Sequence, residues 1–303
     1  MPNVDCLPGS VVRILGNNPS RMTLNGTNVY IVGQGSRRVM IDCSDGNATF
    51  VTRLRDVCHH YQIHEITDLL VTHGHLDHIG GLLQLKMLFP AITVWKYLPD
   101  VTNEGNKRLS LKNDESRRLG IQSLQDGQEF LVPGTTSRLT TVYTPGHCND
   151  HVCFVLDTMD ELSGPILFSG DCILGFGSCL FDSLIDLMAS LAKLDRYKAS
   201  TIYPGHGPIV LDASAKIQEY RTHRQEREKE ILQVLKNQPN ATVWEIVKQL
   251  YEPLPYSLSM AASQAIRKHL DKLVKENRIN ELRPARWYTF TKYSKILSKK
   301  SQL

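Results

Sequence analysis

The sequence predicts two mixed β-sheets with outer helices, followed by a small, mainly helical second domain. Short β-branched or aromatic-rich runs recur up to about residue 210, each bounded by Gly, Pro, Asn, Asp or Ser. Several of these runs follow one another with no helix between them, which fits two mixed sheets better than a doubly wound parallel sheet. After Asp212 the texture changes, and helical patterns replace strand patterns.

The strand runs are VVRILG, TNVYIVG, RVMIDC, ITDLLVTH, ITVWKY, SRLTTVYT, HVCFVLD, PILFSGD and STIYPGH. Between them ATFVTRLRDVCHHY, GGLLQLKMLF and DSLIDLMASLAKLDRY are helical, the last opening on Asp182 as N-cap. VTNEGNKRLSLKNDESRRLG (101–120) is polar and irregular and reads as a loop or rim insertion. The expected domains are therefore residues 1–212 and 213–303.

The second domain opens on one long helical pattern, ASAKIQEYRTHRQEREKEILQVLKN. ATVWEIVKQLY follows, with Thr242 and Glu245 at capping-box spacing. In SLSMAASQAIRKHLDKLVKENRI, Ala262, Ala265, Ile266, Leu270, Leu273 and Val274 form an inward stripe, and Arg267, Lys268, Lys272 and Lys275 fall largely elsewhere. NRINELRPARWYTF then reads as a hairpin. Three helices and a β-ribbon are the order of a winged helix-turn-helix, which makes those four basic residues candidates for contacting nucleic acid. The competing expectation is a helical cap that packs on the first domain or joins two copies as a homodimer.

At 303 residues, with 41% hydrophobic and 22% charged residues, the composition excludes global disorder. No apolar run is long enough to cross a bilayer, so no membrane partner is expected. The opening MPNVDCLPGS has neither the basic and apolar regions of a secretory signal nor an Arg-rich, acid-poor transit pattern. Seven scattered cysteines without a CxxC pair suggest a reducing compartment. The net charge of +4 conceals an asymmetry: residues 214–303 hold 18 Lys and Arg against 9 Asp and Glu. An acidic body thus carries a basic tail, which suits either an anionic partner or a solvated basic face.

The chemistry is concentrated in LLVTHGHLDHIGG, where His73, His75, Asp77 and His78 fall within six positions. Zinc accepts imidazole nitrogens and carboxylate oxygens. A loop leaving a strand can aim His73 and His75 at one ion and turn Asp77 and His78 toward a second, with no helical spacing required. Four ligands cannot close two sites, and three more stand at the ends of other apolar runs: His147 in YTPGHC, Asp171 in FSGDC and His206 in YPGHGP. A closed structural zinc site would ordinarily be richer in cysteine.

These motifs resemble the metallo-β-lactamase fold superfamily, whose HxHxDH motif is met by His73, His75, Asp77 and His78. The resemblance covers residue 11 to about residue 212 and implies an α/β, four-layer αββα sandwich with two zinc ions at one edge. It assigns His73, His75 and His147 to one ion and Asp77, His78 and His206 to the other, with Asp171 bridging. Together with GNNPSRMTLNGTNVYIVG, TPGHCNDHVCFVL, FSGDCILG and the winged-helix tail, the chain is most similar to the lactamase-beta-like protein 2 group. That resemblance implies a single-strand-selective endoribonuclease of the mitochondrion (matrix), whereas the opening sequence leaves the cytosol as the alternative.

Zinc lowers the pKa of a bound water to about 7, and two ions about 3.5–4 Å apart can stabilise both attacking and leaving oxygens. Asp77 is then the catalytic candidate, orienting a zinc-bound hydroxide by a hydrogen bond. Asn28 lies on a strand that resembles a site-facing segment of the family, and His151 is a candidate to hydrogen-bond a ligand. Cys148 and Cys172, beside ligands, are read as packing residues. His59, His60, His64, His223 and His269 are expected on the surface or on helices. Trp95 and Trp244 are expected to pack, and Trp287 with Tyr288 to pack or to stack a base. The alternative activity is thioester hydrolysis of the hydroxyacylglutathione hydrolase type, which uses the same seven ligands. A nucleic-acid-binding protein with a vestigial site is disfavoured by the intact ligands.

Overall fold

The computed structural model describes residues 1–99, 118–158, 164–251, 253, 255–282 and 291–295. Most of the 101–120 insertion, and Trp287 and Tyr288, lie outside the described residues. Seven strands form the first sheet in sequential order: β1 (Val4–Leu7), β2 (Val11–Leu15), β3 (Asn28–Val32), β4 (Arg37–Ile41), β5 (Glu65–Val71), β6 (Thr93–Lys96) and β7 (Gln122–Ser123). The second sheet runs β12 (Thr201–Pro204), β11 (Ile166–Gly170), β10 (Val152–Asp157), β9 (Arg138–Tyr143) and β8 (Glu129–Leu131). In both sheets the antiparallel part precedes a parallel pairing, β4 with β5 and β11 with β12.

The period of two in each strand sorts side chains between two cores. On β3, Val29 and Ile31 join Phe50 and Leu54 of α1 (Ala48–His60), while Tyr30 and Val32 meet Phe154, Phe168 and Tyr203 between the sheets. Helices α1, α2 (Leu76–Ile79) and α3 (Leu82–Leu88) belong to the first sheet's outer layer. On the far side, α4 (Leu184–Leu194) buries Leu184, Leu187, Leu191 and Leu194, and Ser190 Oγ donates to the Pro145 carbonyl at 2.7 Å. This is the αββα layering.

Two local expectations need correction. Helix α4 is capped by Ser183, whose side chain accepts from Asp186 N; Asp182 instead donates its N–H to the Gly146 carbonyl, so the cap lies one residue later. Within THGHLDH, Leu76–Ile79 form one helical turn, because the N–H groups of His78 and Ile79 donate to the His75 carbonyl. The glycines after it are there for close packing: a Cβ on Gly81 would stand 2.2 Å from the Cys43 carbonyl oxygen.

Contacts divide the chain at Gln218–Glu219, inside α5 (Ala213–Asn237); the expected boundary at 212/213 is the start of that helix, where Asp212 accepts from Ala215 N. The second unit holds the rest of α5, α6 (Val243–Tyr251), α7 (Tyr256–Lys275) and a three-stranded antiparallel sheet of β13 (Ala241–Thr242), β15 (Lys292–Lys295) and β14 (Ile279–Leu282). Thr242 and Glu245 bond reciprocally, Thr242 N to Glu245 Oε2 at 2.7 Å and Glu245 N to Thr242 Oγ1 at 3.3 Å. Ile266, Leu270 and Leu273 face Ile231, Leu235, Ile246 and Tyr293 in its core, whereas Trp244 is 51% exposed. No helix among the described residues is long and apolar enough to cross a membrane.

His269 stands on a helix, as one of the two expectations had it, and is buried on α7 beside that core. Burial first, then Arg224 and Arg227, lower its pKa to about 3. An unfolded His269 takes a proton near pH 6.5 while the folded one refuses it, so folding stability must fall as pH drops below about 6.5. We expect protection of α7 amides, corrected for intrinsic exchange, to weaken by at most about 1.4 kcal/mol per pH unit between pH 6.5 and 5. His269→Gln should remove most of that slope; an unchanged slope would show that another group drives it.

Candidate metal centre

The donors arrive where strands end. His73 follows β5 after Thr72, His147 follows β9 by a Pro-Gly turn, Asp171 follows β11, and His206 follows β12 by a second Pro-Gly turn. His73 Nε2 lies 2.8 Å from His75 Nδ1, and His147 Nε2 lies 3.1 Å from the same nitrogen. On the other side His78 Nε2 and His206 Nε2 are 3.3 Å apart, 3.4 and 3.2 Å from Asp77 Oδ2. Asp171 reaches both halves, Oδ1 at 3.4 Å from His78 and 3.3 Å from His206, Oδ2 at 3.6 Å from His147.

These distances fit metal ions. A tetrahedron of about 2.0–2.1 Å zinc–nitrogen bonds has edges of about 3.3 Å. Asp171 Oδ1 is buried, and its polar neighbours are the ring nitrogens of His78 and His206, with no well-aligned hydrogen bond to satisfy it. Ring nitrogens and carboxylate oxygens whose lone pairs converge on one point repel unless a cation or a proton sits among them. The donor groups are His73, His75, His147 and Cys148; His73, His78 and Asp171; and Asp77, His78 and His206. The structure thus brings all seven predicted donors to one place and adds the Cys148 thiol, which the sequence suggested only as packing.

Charge is distributed unevenly across the edge. Burial first, and then neighbouring histidines, lower the pKa of His73, and burial lowers that of His147 to about 4, so both rings are neutral donors at pH 7. For His206 burial works against the proton, but Asp171 and Asp77 outweigh it and raise the pKa to about 9. His78 follows the same balance: Asp42, Asp171 and Asp77 overcome burial and raise it well above its usual value. Burial also disfavours the Asp77 carboxylate, yet His78 and His206 hold its pKa below the usual range. Metal binding at this half therefore displaces protons.

The family model described as Metallo-beta-lactamase superfamily matches residues 22–206, which span every one of these donors. The chain belongs to the metallo-beta-lactamase superfamily. Its members are generally hydrolases, and the fold typically binds metal ions. Residues 242–287 match the Beta-lactamase associated winged helix domain, which accounts for the second unit. A Beta-lactamase-like protein 2 homolog of Drosophila melanogaster is 37% identical over 289 residues, covering 92% of each chain. An Atrochrysone carboxyl ACP thioesterase of Aspergillus fumigatus is 35% identical over 241 residues, covering 78% of this chain and 68% of its own. A metallo-beta-lactamase family protein from Thermus thermophilus superposes with TM-score 0.69 at 22% identity, covering 96% of this chain and all of that one, and supports the fold alone.

Around the donors of this superfamily member stands a polar shell that sequence reasoning largely missed. Asp42, at the end of β4, lies 2.7 Å from His78 Nδ1 and accepts Thr72 N at 2.8 Å and Thr72 Oγ1 at 2.8 Å. Asp150 accepts the Gly74 N–H between His73 and His75 at 2.9 Å and pairs with buried Lys96 Nζ at 2.6 Å. Burial opposes the Asp150 carboxylate, but Lys96 outweighs it and lowers its pKa. His147 Nδ1 bonds the Leu180 carbonyl at 2.8 Å. His151 is fully buried; its Nε2 accepts Asp171 N–H at 3.1 Å and its Nδ1 meets Thr144 Oγ1 at 2.9 Å. Asn28 is equally buried, and its amide donates to the carbonyls of Pro204 and Gly207 at 2.9 Å each. Asn28 thus brackets the His206 turn from behind.

The four basic candidates on α7 divide. Arg267 and Lys275 are exposed and Lys268 is half-buried. Lys272 instead reaches Glu228 of α5 at 2.7 Å and Glu276 at 2.8 Å, with a side chain only 11% exposed. Buried Glu228 also pairs with Arg278 at 3.0 Å, so it draws Lys272 inward.

Proposed function

We propose that the chain is a zinc-dependent endoribonuclease that hydrolyses phosphodiester bonds in single-stranded RNA, using two zinc ions per chain. The observation that carries this reading is the combination of a seven-donor His/Asp edge and a separate basic winged-helix unit on one chain. Bound zinc supplies Lewis acidity, which lowers the pKa of a coordinated water to about 7 and draws charge from a phosphoryl oxygen. Among the carboxylates, Asp77 is the more open, its side chain 28% exposed against 13% for Asp171. Asp77 is thus placed to accept a hydrogen bond from the attacking water and orient it. Asp171 spans the two donor groups, and Asp42 and Asp150 fix the rings and the turn that carry them.

A second reading, thioester hydrolysis, is favoured by the similarity to the Aspergillus thioesterase, because the same edge can attack a carbonyl. Parallel incubation of zinc-loaded full-length protein with labelled single-stranded RNA, duplex RNA, single-stranded DNA and S-lactoylglutathione separates the two. Cleavage of the single-stranded RNA alone is expected. Turnover of the thioester with the RNA left intact would replace the first reading by the second. The same proposal places the protein in the mitochondrial matrix; a diffuse cytosolic signal from a C-terminally tagged chain contradicts that placement.

If the second unit binds RNA, its affinity should depend on salt through counterion release, with a log–log slope of about −0.7 per phosphate contacted. Replacing Arg267, Lys268 and Lys275 together by Ala should flatten that slope and raise KM for long RNA, with little effect on a very short substrate. Lys272→Ala belongs apart from that set, because it leaves Glu228 with one partner fewer and should lower the unit's stability. An unchanged slope in the triple variant would make this helix face a solvated surface, and the unit a packing or homodimer element.

A further inference from the structure

One loop is tied to three of the donor residues. It begins at Asp171, Gly175 N donates to the His206 carbonyl at 2.9 Å, and the Leu180 carbonyl takes the His147 Nδ1 bond at 2.8 Å. The close approach at Gly175 is obligatory, since a Cβ there would stand 1.9 Å from the Pro208 carbonyl oxygen. Next to that pinned glycine, and before Gly177 with its φ of +69°, Phe176 is 70% exposed. The loop is therefore held at both ends and in its middle while presenting a phenyl ring to solvent. Single exposed apolar residues are common on protein surfaces. This one is distinguished by its attachment, one residue from a backbone bond to a metal donor.

We infer that Phe176 is a stacking platform for an unpaired nucleobase flanking the scissile phosphodiester, a subsite that rests on the ribonuclease reading above. Every base offers a π-face, so an exposed aromatic ring on a loop bonded to His206 and His147 can engage a single strand whatever its sequence. In a duplex those faces are covered by neighbouring bases, and the platform has nothing to engage. Selectivity for single strands then originates at the metal edge.

The test uses full-length, zinc-loaded protein and a short RNA oligomer, paired with the same oligomer carrying an abasic ribose beside the cleaved bond. Phe176→Ala should raise KM for the intact oligomer about 5- to 100-fold, with kcat nearly unchanged, and should not affect the abasic one. Phe176→Leu should behave like Ala, and Phe176→Trp should restore tight binding. In an Asp77→Ala background, where the RNA survives, 2-aminopurine fluorescence in the oligomer should be quenched by the Phe176 protein and not by Phe176→Ala. Equal effects on intact and abasic oligomers, or no effect on either, would overturn the subsite while leaving the ribonuclease reading in place. Failure of the unsubstituted protein to cut RNA, with S-lactoylglutathione consumed, would remove that reading and the subsite with it.

Discussion

Asp77→Ala is expected to reduce hydrolysis by about 100-fold or more while leaving the fold intact. Loss of groups that merely support metal ligands already costs about 10–100-fold in affinity or activity, and Asp77 is itself one of the donors. Its carboxylate lies 3.2 Å from His206 Nε2 and 3.4 Å from His78 Nε2, on a one-turn helix at the edge of the sandwich and outside both cores. Removing it deletes a donor and, on the mechanism proposed above, the acceptor that orients the attacking water. His78 and His206 keep Asp171 as a partner, so the zinc-free protein should melt close to the parent temperature. Turnover at the parental rate would show that the assigned half of the centre takes no part in the reaction.

Asp42→Ala should be damaging in a different way. Asp42 is buried and accepts from Thr72 N and Thr72 Oγ1 while facing His78 Nδ1 at 2.7 Å. Alanine leaves those buried donors unsatisfied, at about 1–3 kcal/mol for each group, and frees the His78 ring to turn. Zinc affinity of the His78 half should fall about 10–100-fold. Asp42→Asn keeps an acceptor for Thr72 and tolerates the left-handed backbone found there, φ +59°, so it should recover most of the stability. It supplies no negative charge to His78, so the zinc affinity should stay low. Full zinc affinity in Asp42→Ala would rule out a positioning role.

The donors were legible in the sequence because four of them crowd into HGHLDH and the others close apolar runs. Their supporting shell was not. Asp42 meets His78 across 36 residues and Asp150 meets Gly74 across 76, contacts that exist only after strands become neighbours. Asp42 did show one local feature, an acidic residue at the end of an apolar strand, the position that also marks Asp171. The winged-helix order was readable from the α7 stripe, but the fate of Lys272 and His269 was not. Periodicity shows which face of a helix is apolar, while Glu228 on another helix decided which lysine was drawn inward. The one-turn helix at Leu76–Ile79 is too short for any periodicity to announce.

On the reading proposed above, His73, His75, His147, Asp77, His78, His206 and Asp171 together hold two metal ions. Titration of metal-stripped full-length protein with zinc, followed by calorimetry and by elemental analysis after removal of free metal, tests it most directly. Two zinc ions per chain are expected, with proton release on binding as His78 and His206 surrender their protons, and loss of the second ion in Asp77→Ala. One tightly held zinc per chain, with the same stoichiometry in Asp77→Ala, would contradict it.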